Sequence, residues 1–146
     1  MLVLYAIAFA HGGLPLIYMG DELGLRNDAG WASDPAHAAD NRWMHRPWMD
    51  WEAAGRRHDP DAVEGRLWAG LRRLVELRRG SRAAHAHGSS LPAWTGNDHV
   101  LGVRRGHAGD RLLLLANLTA EWQAVADGVG AEPLELAPYG YRWLSG

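Results

Sequence analysis

The chain has 146 residues, a formal net charge of −2 and no cysteine. This length suits one domain, or one domain and part of another, and falls short of the roughly 250 residues of a complete (β/α)8 barrel. The lack of cysteine excludes disulfides and thiolate metal sites, and the small net charge gives no reason to expect nucleic acid or a membrane as a partner.

The chain opens with a predicted buried helix over residues 1–10, followed by a glycine turn and a buried strand over residues 14–19. The strand sequence LPLIYM does not alternate, which is typical of a parallel strand covered on both faces. The sequence His11-Gly12-Gly13 and Pro15 interrupt the apolar stretch, which has no Lys or Arg. Neither a membrane span nor a signal peptide is therefore expected, and we expect a cytoplasmic protein.

Two acids, Asp21 and Glu22, directly follow the predicted strand. The active site of a parallel α/β barrel lies at the carboxyl ends of its strands, so this placement delivers carboxylates to that face. Residues 20–58 then show no periodicity and are rich in Trp, Asp, His, Arg and Pro. Such side chains can bind sugar hydroxyls and stack on pyranose rings, but a solvated loop whose tryptophans pack on the domain has the same composition.

The clearest predicted helix covers residues 59–79, with Asp59 as its N-cap and Pro60 at its first position. Its apolar stripe at helical spacing consists of Val63, Leu67, Leu71, Leu74 and Leu77. After Gly80 the pattern changes to short β-prone runs, which predict a small antiparallel sheet or sandwich. The runs are LPAWT, HVLGVRR, RLLLLANLT, WQAVA, LELA and YGYRWLS, with turn signals at 96–98, 106–110 and 128–130.

The stretch GGLPLIYMGDELG, residues 12–24, resembles the last barrel strand of the α-amylase superfamily of glycoside hydrolases, where a Gly-x-Pro-x-Ile-Tyr-x-Gly-Asp-Glu pattern recurs. The sequence DNRWMHRPWMDW, residues 40–51, is similar to the amylosucrase branch, and residues 56–79 resemble the final barrel helix. The resemblance implies an α/β barrel remnant, the last helix–strand–helix of a TIM barrel, over residues 1–80. An all-β antiparallel sandwich would follow over residues 81–146.

Amylosucrases transfer glucose from sucrose to an α-glucan by a retaining mechanism that needs two carboxylic groups. In the superfamily these groups, and a third aspartate, lie on strands four, five and seven. The resemblance places the start of this chain at about helix seven, so it implies that the chain carries no catalytic residue and is inactive alone. It implies no cofactor and no metal, with sucrose or an α-glucan as the substrate of the intact enzyme.

The resemblance gives Arg42 a place at the bottom of the glucose pocket, paired with an aspartate from an early strand that this chain lacks. A guanidinium group can bind a carboxylate and sugar hydroxyls together. Asp21 and Glu22 would organise the rim, because neighbours on an extended strand end point in opposite directions and cannot flank one bond. The weaker candidates for substrate binding are Asp40, Trp43, His45 and Arg46.

Two other functions remain open at this point. One is a stand-alone carbohydrate-binding module that uses Trp94, Trp122 or Trp143. The other is a non-catalytic interaction domain. In either case the open edges of the predicted barrel strand would favour self-association.

Overall fold

The computed structural model describes residues 1–125 and 133–146. Its helices are α1 (Leu2–Ala10), α2 (Trp51–Gly55) and α3 (Val63–Gly80). Its strands are β1 (Ser89–Pro92), β2 (Val100–His107), β3 (Asp110–Asn117), β4 (Gln123–Val125), β5 (Leu134–Leu136) and β6 (Tyr141–Ser145). The chain forms two compact units, one of residues 1–15 with 73–146 and one of residues 16–72.

The first unit contains two antiparallel sheets, as the sequence predicts. One sheet has the strand order β1-β2-β3-β6, and the other pairs β4 with β5. Apolar side chains from both sheets share one core, with Val100 and Leu115 on the larger sheet and Val125 and Leu136 on the smaller one. The predicted turn at residues 128–130 lies outside the described residues.

The opposite face of the four-stranded sheet packs against α1 and the residues that precede β1. Val3, Ala6, Phe9 and Ala10 are the buried residues of α1, which confirms the predicted first helix within one residue. Two arginines bind its carboxyl end: Arg78 donates to the carbonyls of Phe9 and Gly13, and the buried Arg105 donates to that of His11. The carboxyl end of a helix has unpaired carbonyl groups and a partial negative charge. A guanidinium group can donate hydrogen bonds to these carbonyls and offset the charge.

The second unit contains α2, the first part of α3 and several short 3-10 turns. The sequence shows no period over residues 20–58, and α2 is the one α-helix found there. Asp50 caps α2 through the N–H of Ala53, at 2.8 Å. Arg56 forms ion pairs with Glu52 at 3.2 Å and with Glu64 at 2.7 Å. The hydrogen bond between Arg56 and Glu64 raises the pKa of Arg56 and lowers the pKa of Glu64.

The prediction of Asp59 as the N-cap and Pro60 as the first helical residue is wrong by three residues. The side chain of Asp59 accepts a hydrogen bond from the N–H of Asp61, which forms a turn instead of a cap. Because that turn uses residues 59–62, α3 begins at Val63. No helix among the described residues is both long and apolar enough to cross a membrane.

The predicted buried strand over residues 14–19 is also wrong. This segment has no strand assignment, and none of its N–H groups takes part in a hydrogen bond within the described residues. Leu14 and Leu16 are 89% and 78% exposed. A parallel strand needs a neighbour to pair with, and every strand pair that the described residues form lies after Gly80 and is antiparallel.

Candidate functional site

Asp21 and Glu22 lie on a tight 3-10 turn, Asp21–Leu23, rather than on the extended strand end that the sequence predicts. Gly20 and Gly24 border the turn with φ values of 86° and 70°, a left-handed conformation that glycine adopts without strain. Leu23 is buried and fixes the turn from within. Successive residues of a 3-10 turn point about 120° apart, so the two acids still face in different directions.

A cleft of about 350 Å³ brings two of the predicted site residues together. Asp21 and His45 both line it, although 24 residues of sequence separate them. The remaining lining residues are Tyr18, Met19, Leu25, Asn27 and Pro47. The volume lies at the small end of the range for ligand pockets, and the mixture of apolar, hydroxyl, amide and carboxylate groups suits a neutral polar ligand.

The sequence gives no signal for Asn27, which the structure places beside His45. The N–H of Asp28 donates to the carbonyl of Met44 at 2.8 Å and holds the two loop segments together. As a result, His45 Nδ1 lies 3.3 Å from Asn27 Oδ1. Residue spacing could not reveal this contact, because it depends on one backbone hydrogen bond between segments without periodic structure.

Arg42 forms a two-pronged ion pair with Asp40. Its Nε lies 2.8 Å from Asp40 Oδ1, and its Nη2 lies 2.7 Å from Oδ2. The Asp40 carboxylate also accepts the backbone N–H of Arg42 at 3.0 Å. These hydrogen bonds lower the pKa of Asp40 to about 2 and raise that of Arg42.

The resemblance pairs Arg42 with an aspartate from an early strand, whereas within this chain its carboxylate partner is Asp40. The pairing uses Nε and Nη2, and no described residue accepts a hydrogen bond from Nη1. The side chain of Arg42 is 71% exposed. The guanidinium group is therefore oriented by Asp40 while one of its nitrogens stays open to solvent.

Trp43 is half-buried, and two side chains, those of His37 and Arg46, lie next to its ring. The His37 ring stacks on it with centroids 3.8 Å apart, and Arg46 Cζ lies 5.6 Å from its centroid. Asp34 Oδ2 lies 3.0 Å from His37 Nδ1 and orients the histidine. The stack occupies one face of Trp43, which makes this tryptophan part of the loop packing.

Glu22 lies outside the residues that line the 350 Å³ cleft, as do Asp40, Arg42, Trp43 and Arg46. Four of the candidates form a second group, since Asp40, Arg42, Trp43 and Arg46 lie in or beside the 3-10 turn Asn41–His45. His45 belongs to this turn and also lines the cleft. Within residues 1–125 and 133–146, no three His, Asp or Glu side chains are arranged to hold a metal ion.

Three groups of solved structures are similar to nearly the whole chain. The cyclic α-maltosyl-(1→6)-maltose hydrolase from Arthrobacter globiformis is 22% identical, with a TM-score of 0.71, over 99% of this chain and 29% of that chain. A maltogenic amylase from S. marinus is 22% identical, with a TM-score of 0.68, over 99% and 19%. The trehalulose synthase MutB from Pseudomonas mesoacidophila MX-45 is 20% identical, with a TM-score of 0.65, over 99% and 38%.

These neighbours are α-amylase-family enzymes, and their likeness to this chain is one of fold. The order of helices followed by antiparallel sheets matches the C-terminal region of such enzymes. The chain spans between 19% and 38% of the length of the three structures. Residues 97–144 also match the family described as D-apionate lactonase, C-terminal immunoglobulin-like domain.

Proposed function

We propose that this chain is the C-terminal part of a retaining glucosyltransferase or glycoside hydrolase that acts on sucrose or α-glucans, similar to amylosucrase. In this proposal residues 1–80 complete a (β/α)8 barrel and residues 81–146 form the sandwich domain after it. The catalytic carboxylates come from the preceding part of the enzyme, which works in the cytoplasm. The chain alone binds no cofactor and does not turn over substrate.

The observation that carries the proposal is the unequal coverage of the structural matches. Nearly all of this chain aligns with each enzyme, whereas at most 38% of any of the three enzymes aligns with it. Residues 14–19 support the same conclusion, because they are mostly apolar and exposed and have no strand partner among the described residues. Neighbouring parallel strands from a preceding polypeptide would satisfy both their backbone groups and their apolar side chains.

The candidate site supports a sugar as the ligand of the intact enzyme. Arg42 presents one unused guanidinium nitrogen beside the Asp40 carboxylate, and Asp21 and His45 line the cleft. Carboxylate, guanidinium, imidazole and amide groups together can donate hydrogen bonds to several hydroxyl groups and accept hydrogen bonds from them. We assign these residues to substrate binding and to the rim of the site rather than to catalysis. A retaining mechanism needs two carboxyl groups about 5–5.5 Å apart on either side of one bond, and Asp21 and Glu22 face in different directions.

The test is to express the reading frame that continues upstream of Met1 and to measure glucose and fructose release from sucrose, with maltoheptaose as a second substrate. The proposal predicts turnover by the longer protein and a severe loss in Arg42→Ala. Arg72→Ala, at an exposed arginine of α3, is the matched control and should keep normal turnover. A stop codon directly upstream, or a longer protein inert toward both sugars, would contradict the proposal.

A further inference from the structure

One end of the β-sandwich has a group of exposed aromatic side chains. The strand registers place three connections at this end: residues 93–99 between β1 and β2, 118–122 between β3 and β4, and 137–140 between β5 and β6. Each carries one exposed tryptophan or tyrosine. Trp94 is 84% exposed, Trp122 is 66% exposed and Tyr139 is 56% exposed.

Buried and half-buried polar side chains hold these three loops in place. Asn117, which is fully buried, donates to the carbonyls of Glu121 at 2.7 Å and Ala137 at 2.9 Å. Asn97 donates to the side chain of Gln123 and to the carbonyl of Ala124, both at 2.9 Å. Breaking one of these hydrogen bonds would leave a polar group inside the protein without a partner, which costs free energy. The network therefore fixes the loops before any ligand binds.

Backbone hydrogen bonds join the loops directly to one another. The N–H of Leu118 donates to the carbonyl of His99 at 3.2 Å, and the N–H of Tyr139 donates to the carbonyl of Thr119 at 3.0 Å. Tyr139 has a φ of 52°, an uncommon conformation for a bulky side chain. The chain thus holds an exposed tyrosine in a strained conformation, which is a common property of residues at binding sites.

The charges on these loops disfavour anionic ligands. Residues 93–99, 118–122 and 137–140 contain Asp98 and Glu121 but no Lys or Arg. A phosphate group, a nucleic acid or an acidic peptide would meet two carboxylates and no Lys or Arg in these loops. A neutral polyhydroxylated ligand, in contrast, can stack its apolar ring faces on the aromatic rings and direct hydroxyl groups to the carboxylates.

We propose that these three loops form a binding site for a linear α-glucan, with Trp94, Trp122 and Tyr139 as its stacking surfaces. The site lies in the first unit and is separate from the cleft lined by Asp21 and His45. The choice of an α-glucan rests on the proposed function, whereas the presence of a sugar site rests on the loops alone. Trp143, the third tryptophan considered from the sequence, takes no part, because it packs against Ala83, Ala84 and Leu112.

The test is native electrophoresis of the chain in gels with and without soluble starch. We expect the starch to retard the chain, and Trp94→Ala and Trp122→Ala each to weaken binding about tenfold, as for a central contact of a binding site. Tyr139→Gly should weaken it too, since glycine suits a φ of 52° and the substitution removes the ring together with the rest of the side chain. Trp48→Ala, which removes an 86% exposed tryptophan from the other unit, is the control and should bind normally.

Unchanged melting temperatures in all four variants would show that the losses come from binding. The inference is overturned if starch does not retard the chain, if the loop variants bind as well as the original chain, or if Trp48→Ala loses binding equally. Failure here is distinguishable from failure of the proposed function. An upstream-extended protein that turns over sucrose, but that starch does not retard, would retain the proposed function and remove this site.

Discussion

Asp40 and Arg42 show how a short-range pair can be formed by residues that the sequence assigns to a different partner. The backbone N–H of Arg42 and its guanidinium both reach Asp40, so the carboxylate accepts hydrogen bonds from two directions. The spacing of two residues allows this because Asp40 precedes the 3-10 turn and caps it. The pair fixes the orientation of the Arg42 guanidinium group within the loop itself.

The pH dependence of this pair follows from the direction of the pKa shift. The Arg42 hydrogen bonds lower the pKa of Asp40 to about 2 in the folded chain. Its contribution to stability is therefore fully present above the ordinary pKa of an aspartate and is lost as the pH falls toward 2. An NMR titration of the Asp40 carboxyl carbon should give a midpoint near the lowered value.

Arg42→Gln should return that midpoint toward the ordinary aspartate value, because glutamine has no charge and lacks the two-pronged donor. Arg46→Gln should change the midpoint much less, since the contribution of Arg46 to the Asp40 shift is the smallest. An unshifted Asp40 in the unsubstituted chain would show that the pair does not form in solution.

Arg105 is a buried cation whose hydrogen-bond partners are backbone carbonyls. It donates to the carbonyls of His11, Ala83 and His85, and burial lowers its pKa. Arg105→Met would leave these buried and part-buried acceptors without their donor, so it should lower the free energy of unfolding by about 3 kcal/mol. Arg104→Met, at the exposed neighbouring position, should change it by less than about 0.5 kcal/mol.

Urea unfolding of the two variants beside the original chain measures both changes. Equal stabilities for Arg105→Met and Arg104→Met would contradict the role given to the buried guanidinium.

At the scale of secondary structure, elements with a local signal were predictable and the element that needs a distant partner was not. The helix α1 and the antiparallel strands were predicted because their apolar patterns and turn residues are contained in short segments. The pattern of residues 14–19 specifies a strand with parallel neighbours, and the described residues contain no such neighbour. Asp59 misled the prediction because the same side chain can close a turn or cap a helix.

The packing of α1 on the four-stranded sheet gives a second stability test. Phe9 is buried in this contact, whereas Leu4 on the same helix is exposed. Phe9→Ala should destabilise the chain by about 3–5 kcal/mol, the usual cost of removing a buried phenylalanine. Leu4→Ala should cost far less, and thermal unfolding followed by circular dichroism compares the two directly.

Comparable melting temperatures for Phe9→Ala and Leu4→Ala would mean that α1 does not pack on the sheet in solution. The domain limit predicted near Gly80 separates residues 1–15 from the strands, whereas in the structure they belong to the unit that contains the six strands of the described residues. A chain that starts at Arg82 would lose the helix that covers one sheet face.

The exposed apolar segment over residues 14–19 should make the isolated chain associate. Its leucines are solvent-exposed and its N–H groups are unpaired among the described residues, which favours pairing with another chain. Leu16→Lys should shift the chain toward the monomer in light scattering. Leu4→Lys, which places the same charge on exposed α1, should leave the association unchanged, and a monomeric original chain would contradict the prediction.

At the scale of the whole molecule, the fold was more predictable than the candidate site. The pattern of residues 12–24 and the β-prone runs after Gly80 were enough to indicate α-amylase-like architecture, and the structural neighbours have that fold. The cleft was not predictable, because it depends on the hydrogen bond from Asp28 to Met44 and on contacts of Asn27 and Tyr18. Two of the seven proposed site residues, Asp21 and His45, line that cleft.

The central claim is that this chain contributes substrate-binding and structural elements but no catalytic carboxylates. The most direct test is to incubate the purified 146-residue chain with sucrose and, separately, with maltoheptaose, and to measure glucose, fructose and shorter glucans. We expect no product above the protein-free blank, because loss of the general acid or base alone lowers the rate about 10²–10⁴-fold. An activity that co-elutes with the purified chain and is lost in Asp21→Asn would show that the chain does carry a catalytic carboxylate.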